Sequence, residues 1–178
     1  MLNTLKKTRS ATMRGLTLIE ALLFLGIAAI VIVSAVAFYN NASNSSKMNQ
    51  AQTQIQAYIS GVKSLYASRD SYATVNNALI ITAGKAPENA IRGTTGLRNP
   101  WGGGTTIAGA NNYFEISMDT LADDVCTSIL STNMLDNGSI FRIAANSTAF
   151  TNGNSPDPAQ AAAACTSATN NTITFRVR

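Results

Sequence analysis

The segment Leu16 to Tyr39 constrains this chain more than any other. It holds 24 consecutive residues and one side chain that is charged at neutral pH, Glu20. About 20 apolar residues suffice to cross the hydrocarbon layer of a bilayer as a helix. A carboxylate inside such a segment is costly unless something neutralises it, so Glu20 marks a functional position by default. Just before the run, residues 1–15 carry Lys6, Lys7, Arg9 and Arg14 and no acid. Positive charge ahead of an apolar helix keeps that end cytoplasmic and sends the rest of the chain outward.

The sequence has 13 Lys and Arg against 9 Asp and Glu. Four of the basic residues precede Leu16, so the remainder carries nine of each sign. The basic character belongs to the first 15 residues and gives no argument for nucleic-acid binding. Histidine is absent, which removes the Ser–His and Cys–His dyads. Asp123 and Asp124 are adjacent, and adjacent residues on a helix do not face one site, so they read as a solvated surface. No enzyme activity, cofactor or metal site is expected. The run Asn99-Pro100-Trp101-Gly102-Gly103-Gly104 lacks the Lys-Ser or Lys-Thr of a phosphate loop and reads as a turn that Trp101 pins to the rest of the head.

No proline occurs between Leu16 and Arg69. From Asn40 onward the all-apolar pattern becomes amphipathic. Ile55, Tyr58, Ile59, Val62, Leu65 and Tyr66 recur at helical steps, with Gln52, Gln56, Lys63 and Ser64 opposite. A helix from Leu16 to about Arg69 would be roughly 80 Å long, too long for a membrane span alone. Its second half is expected to lay its apolar stripe on a soluble head. The Asn- and Ser-rich stretch 40–49, Gly26 and Gly61 are soft points, and a continuous helix, or one only slightly loosened near Gly26, is expected through them.

Residues 70–112 read as a connecting loop with a short helix over Thr74–Ala83. Val75, Ala78, Leu79 and Thr82 would point inward there, and Gly84 would cap the end. Residues 113–178 read as a sheet region. Tyr113–Met118 alternates, with Phe114, Ile116 and Met118 on one face. Asp119 reads as the N-cap of a helix carrying Leu121, Val125 and Ile129. Ser139–Ala144 is a second strand with Phe141 and Ile143 inward. Asp157-Pro158 opens an alanine-rich helix that ends near Cys165. Thr172–Arg178 is the clearest strand, with Ile173, Phe175 and Val177 on one face, and is expected well inside the sheet. The fold class is α+β: a long N-terminal helix whose C-terminal half packs on an antiparallel sheet.

Cys126 and Cys165 are the only cysteines and fall on the outward side, where disulfides persist. A bridge between them closes a 40-residue segment and stabilises by roughly 4 kcal/mol. Two thiols without histidine make a poor zinc site, and a redox pair would sit as Cys-x-x-Cys.

The sequence Gly15-Leu16-Thr17-Leu18-Ile19-Glu20 resembles the processing site of type IV prepilins. That resemblance implies cleavage between Gly15 and Leu16 by a prepilin peptidase, with N-methylation of Leu16. Glu20 becomes the fifth residue of the mature chain, and Glu20 and the Leu16 amine are the implied assembly pair. A leucine start and a fairly long leader are similar to the type IVb branch, especially the thin-pilus subunits of conjugative plasmids. The resemblance implies a 1–15 leader, a 16–39 membrane anchor and filament core, and a 40–178 pilin head comprising helix 40–69, loop 70–112 and sheet region 113–178. A disulfide bounding residues 126–165 is implied as well, enclosing an exposed surface around Asn146–Ser155. Expected partners are further copies of the chain, the peptidase, and an assembly platform, ATPase and secretin. The expected location is the inner membrane, then an extracellular pilus serving adhesion, aggregation or mating-pair contact. Two rivals remain: a minor pilin or type II secretion pseudopilin, and a soluble binding protein released after Ala37, because Ala35-Val36-Ala37 fits a signal-peptidase site.

Overall fold

The structure is a computed structural model that describes residues 17–132, 134–151 and 154–178. The leader, Gly15 and Leu16 lie outside the described residues. The chain divides into two units at Ala42 and Ser43.

Helix α1 runs Leu18–Leu65 without interruption, which the absence of proline allows. Beyond Ser43 its Ala51, Gln54, Ile55, Tyr58, Ile59, Gly61 and Val62 are buried. The expected stripe is therefore the buried one, except that Leu65 is only half-buried. The helix stops before Arg69 because the chain folds back at Tyr66, whose hydroxyl bonds Thr74 Oγ1 at 2.7 Å.

The head is a seven-stranded sheet ordered β1-β2-β3-β4-β7-β5-β6, antiparallel at every pairing. The strands are β1 Ile91–Arg92, β2 Gly96–Arg98, β3 Gly104–Gly109, β4 Phe114–Leu121, β5 Ile140–Ala145, β6 Thr148–Thr151 and β7 Asn171–Val177. Strand β7 lies between β4 and β5, inside the sheet as expected. Ile173, Phe175 and Val177 are each fully buried and share one core with Phe114, Ile116, Met118 and the α1 stripe.

Four expectations are corrected. Residues 70–112 are not simply a connecting loop, because β1, β2 and β3 lie within them. Strands of two and three residues carry no alternation, and β3 is Gly-Thr-Thr-Ile-Ala-Gly with one large apolar residue. Such strands are held by their neighbours rather than by their own pattern. The short helix α2 is Asn77–Thr82, capped by the Asn76 side chain, and Gly84 follows its end at φ +65°. Its buried residue is Ile80, whereas Thr82 is exposed and Ala78 and Leu79 are half-buried. Asn77 also bonds the β3 backbone at Thr105 O and Ile107 N, which covers an otherwise open length of that strand's edge.

Asp119 is not a helix cap. Strand β4 continues through it to Leu121, and its carboxylate accepts the Gly104 N–H at 2.6 Å. Helix α3 begins later, at Asp123–Ser131, and buries Val125, Cys126, Ile129 and Leu130. Leu121 is buried as a strand residue, after an irregularity between Met118 and Leu121 where Thr120 adopts φ +56°.

Phe141 does not point inward. A register shift between Ile140 and Arg142 puts Ile140 and Ile143 in the core and turns Phe141 to the outer face. A bulge of this kind breaks the two-residue period that the sequence pattern assumes. Helix α4, Pro158–Ala164, starts as expected, with Asp157 and Gln160 forming a reciprocal capping box. The turn at Asn99–Gly104 is organised by the buried Asn99 side chain, which accepts from Trp101 N and Gly103 N and donates to Asp119 O at 2.8 Å. Trp101 is half-buried against the core.

Candidate functional site

The N-terminal half of α1 holds the chemistry that sequence reasoning singled out. Leu18, Ile19, Leu22, Leu23, Phe24 and their apolar successors through Tyr39 are exposed, Leu18 by 80% and Phe38 by 76%. By length and composition the helix can cross a membrane. An unshielded run of this size is unfavourable in water, so it needs lipid or other protein against it.

Glu20 sits in the first turn of this helix. Its Oε2 accepts the Thr17 N–H at 2.9 Å and the Thr17 hydroxyl at 2.8 Å, while Thr17 Oγ1 accepts the Glu20 N–H at 3.3 Å. This is a capping box in which each residue satisfies a backbone N–H of the other. Both bonds from Thr17 reach Oε2, and Oε1 has no partner among the described residues. The role of Thr17 was missed, although Thr-x-x-Glu before an apolar run is its sequence signature. The Gly15–Leu16 bond and the Leu16 nitrogen lie outside the described residues.

In the head, Cys126 and Cys165 are disulfide-bonded, with Cα atoms 5.9 Å apart. The bridge ties the first turn of α3 to the residue that ends α4. It is buried, and the segment it encloses is exposed at Asn146, Ser147, Thr148, Thr151, Asn154 and Ser155. Among the described residues no cluster of His, Cys, Asp and Glu could hold a metal ion.

A long helix that is apolar at its start, laid at its end on an antiparallel sheet with a disulfide-bounded region, defines a type IV pilin, a structural subunit rather than an enzyme. A family model described as PilS, PilS N terminal, matches residues 45–178, and the chain belongs to this family of type IVb pilins. It is similar to the major structural subunit of bundle-forming pilus from Escherichia coli O111:H- and to that from Escherichia coli O127:H6 (strain E2348/69 / EPEC). Each is 28% identical over 183 residues, covering 91% of this chain and 93% of the relative. Among solved structures, the type IV b pilin from Salmonella typhi superposes with a TM-score of 0.59 at 25% identity, covering 71% of this chain and 97% of that one. TcpA, a type IV pilin from Vibrio cholerae El Tor biotype, shares the fold with a TM-score of 0.56 at 16% identity, covering 75% and 99%.

Proposed function

We propose that this chain is the major subunit of a type IVb pilus. In this reading a prepilin peptidase cuts between Gly15 and Leu16 and methylates the new amine. Residues 16–39 hold the subunit in the inner membrane and then form the filament core, with residues 40–178 as the outer head. An assembly platform, an ATPase and a secretin carry the filament out, where it serves adhesion, aggregation or mating-pair contact. The observation that carries the reading is the exposed apolar length of α1 with one carboxylate in its first turn. The likeness to relatives named as major structural subunits supports a major rather than a minor role.

The mechanism follows from solvation. Once the segment has left the bilayer, burying its apolar surface in a packed helix bundle rather than exposing it to water is favourable by about 25 cal/mol per Å². That attraction is non-directional and sets no axial position. The amine of Leu16 and the carboxylate of Glu20 on a neighbouring subunit neutralise each other at one offset only. Fixing register is the best-attested use of a buried ion pair. Thr17 engages Oε2 within the subunit, which leaves Oε1 for the neighbour's amine.

Two substitutions separate local capping from intersubunit pairing. Glu20→Gln keeps a side chain that can complete the capping box but removes the charge. Thr17→Ala removes the cap hydroxyl and keeps the charge. Glu20→Gln is expected to accumulate as folded, membrane-bound subunit with few sheared surface filaments, and Thr17→Ala to assemble better than Glu20→Gln. Wild-type filament yield from Glu20→Gln would overturn the reading.

A further inference from the structure

On the outer face of the sheet, three strands bring like charges together. Arg142 on β5 stands directly opposite Arg176 on β7, and Arg176 stands opposite Glu115 on β4. Arg178 lies two residues beyond Arg176, on the same face by strand alternation. Like charges directly opposite each other destabilise a sheet. The sequence nevertheless places three guanidinium groups beside a single carboxylate. A local conflict of this kind is expected where a surface serves something other than folding.

Two of the three guanidinium groups are also held in place. Arg176 Nε bonds Glu115 Oε1 at 2.6 Å, and its guanidinium lies 5.1 Å from the centre of the Tyr113 ring. Arg178 lies 4.4 Å from the centre of the Phe141 ring. The two rings meet edge to face at 5.8 Å. Phe141 is on this face only because of the β5 bulge, and bulges re-aim side chains next to functional surfaces. Since Arg176 uses Nε for Glu115, its two Nη atoms are left to bind, with no hydrogen bond among the described residues.

From this geometry we infer that the β4-β7-β5 outer face binds an acidic polysaccharide through Arg142, Arg176 and Arg178. Guanidinium forks match carboxylate and sulfate groups, and orienting them beforehand lowers the ordering cost of binding. Single-stranded nucleic acid binds by stacking bases on open aromatic faces. Here an arginine lies over each ring, and the rings turn edge to face. The ligand is therefore a sugar chain carrying carboxylate or sulfate groups, which guanidinium forks bind.

The test is calorimetric titration of the full mature chain in neutral detergent micelles with a heparin octasaccharide, at about 50 mM salt where screening is weak. Arg142→Gln and Arg178→Gln should each weaken binding by roughly tenfold. Glu115→Gln, which removes the competing carboxylate, should tighten it. Arg142→Gln should leave Tm unchanged or raised, since it relieves the like-charge pair. Absence of binding, or equal affinity in all variants, would overturn the proposal. So would a lower Tm for Arg142→Gln, which would make the arginine a packing residue. Equal or tighter binding of duplex DNA of matched charge would overturn the choice of a polysaccharide.

Discussion

Asn146 donates through Nδ2 to Oδ1 of Asn171 at 3.0 Å, joining the β5–β6 turn to the start of β7. Asn146 adopts φ +51°, a conformation that asparagine tolerates better than most residues, and its Nδ2 also reaches Ala164 O beside the disulfide. Asn171 is fully buried, donates to Leu121 O at 3.1 Å and to Ser167 O, and accepts the Ser167 N–H. One side chain thus satisfies backbone groups from β4 and from the loop after α4. Asn171→Ala leaves several of them unpaired, each at a cost of about 1–3 kcal/mol. We expect a loss of at least about 2 kcal/mol in chemical denaturation. Asn171→Asp should restore only part of it, because a carboxylate cannot donate to Leu121 O.

Removing the bridge with Cys126→Ser and Cys165→Ser should destabilise the folded head by roughly 4 kcal/mol. Because the disulfide joins α3 to the residue after α4, amide exchange should rise first in those two helices. Exchange in β4 and β7 should change only with global stability.

Tyr58 is fully buried, and its hydroxyl has no partner among the described residues. Burial pushes its pKa from 10.0 up to about 12. The folded state therefore resists ionisation that the unfolded chain undergoes. The neutral phenol favours the folded state fully below pH 10, and that advantage is lost as pH rises from 10 toward about 12. Tyr58→Phe should remove this alkaline loss and match or exceed wild-type stability at neutral pH, as unfolding curves at pH 7 and near pH 11 would reveal.

Gly109 lies against the backbone carbonyl of Tyr72, and its N–H bonds Val75 O at 2.9 Å. A methyl group at 109 would overlap Tyr72 O, an atom of the main chain that cannot rotate away. Gly109→Ala should destabilise the head by about 1–3 kcal/mol, the usual range for overpacking. Gly26, where nothing lies within 4 Å of an added methyl, should accept the same change without loss of head stability.

What could be read from the sequence divides along physical lines. The α1 stripe and β7 were legible because each keeps a strict period over enough residues to be distinctive. The α4 start was legible because Asp-Pro is a local signal that needs no tertiary partner. Strands β1, β2, β3 and β6 were not legible. They are short and weakly apolar, and they form because a neighbouring strand offers backbone partners. Asp119 and Phe141 failed for a related reason. Each sits where β4 or β5 departs from regular pairing, and a bulge leaves no trace in a two-residue period. At the candidate site, Glu20 stood out as the lone charge in an apolar run. Its partner Thr17 carries the Thr-x-x-Glu signature of a capping box, a local signal that the apolar run around it masks.

Processing and assembly are tested together by the intact mass of protein sheared from the cell surface. The expected product has 163 residues beginning at methylated Leu16, is two hydrogens short for the Cys126–Cys165 bridge, and is abundant in the sheared filaments. A chain beginning at Phe38, or one found only in membranes, would contradict the proposed function.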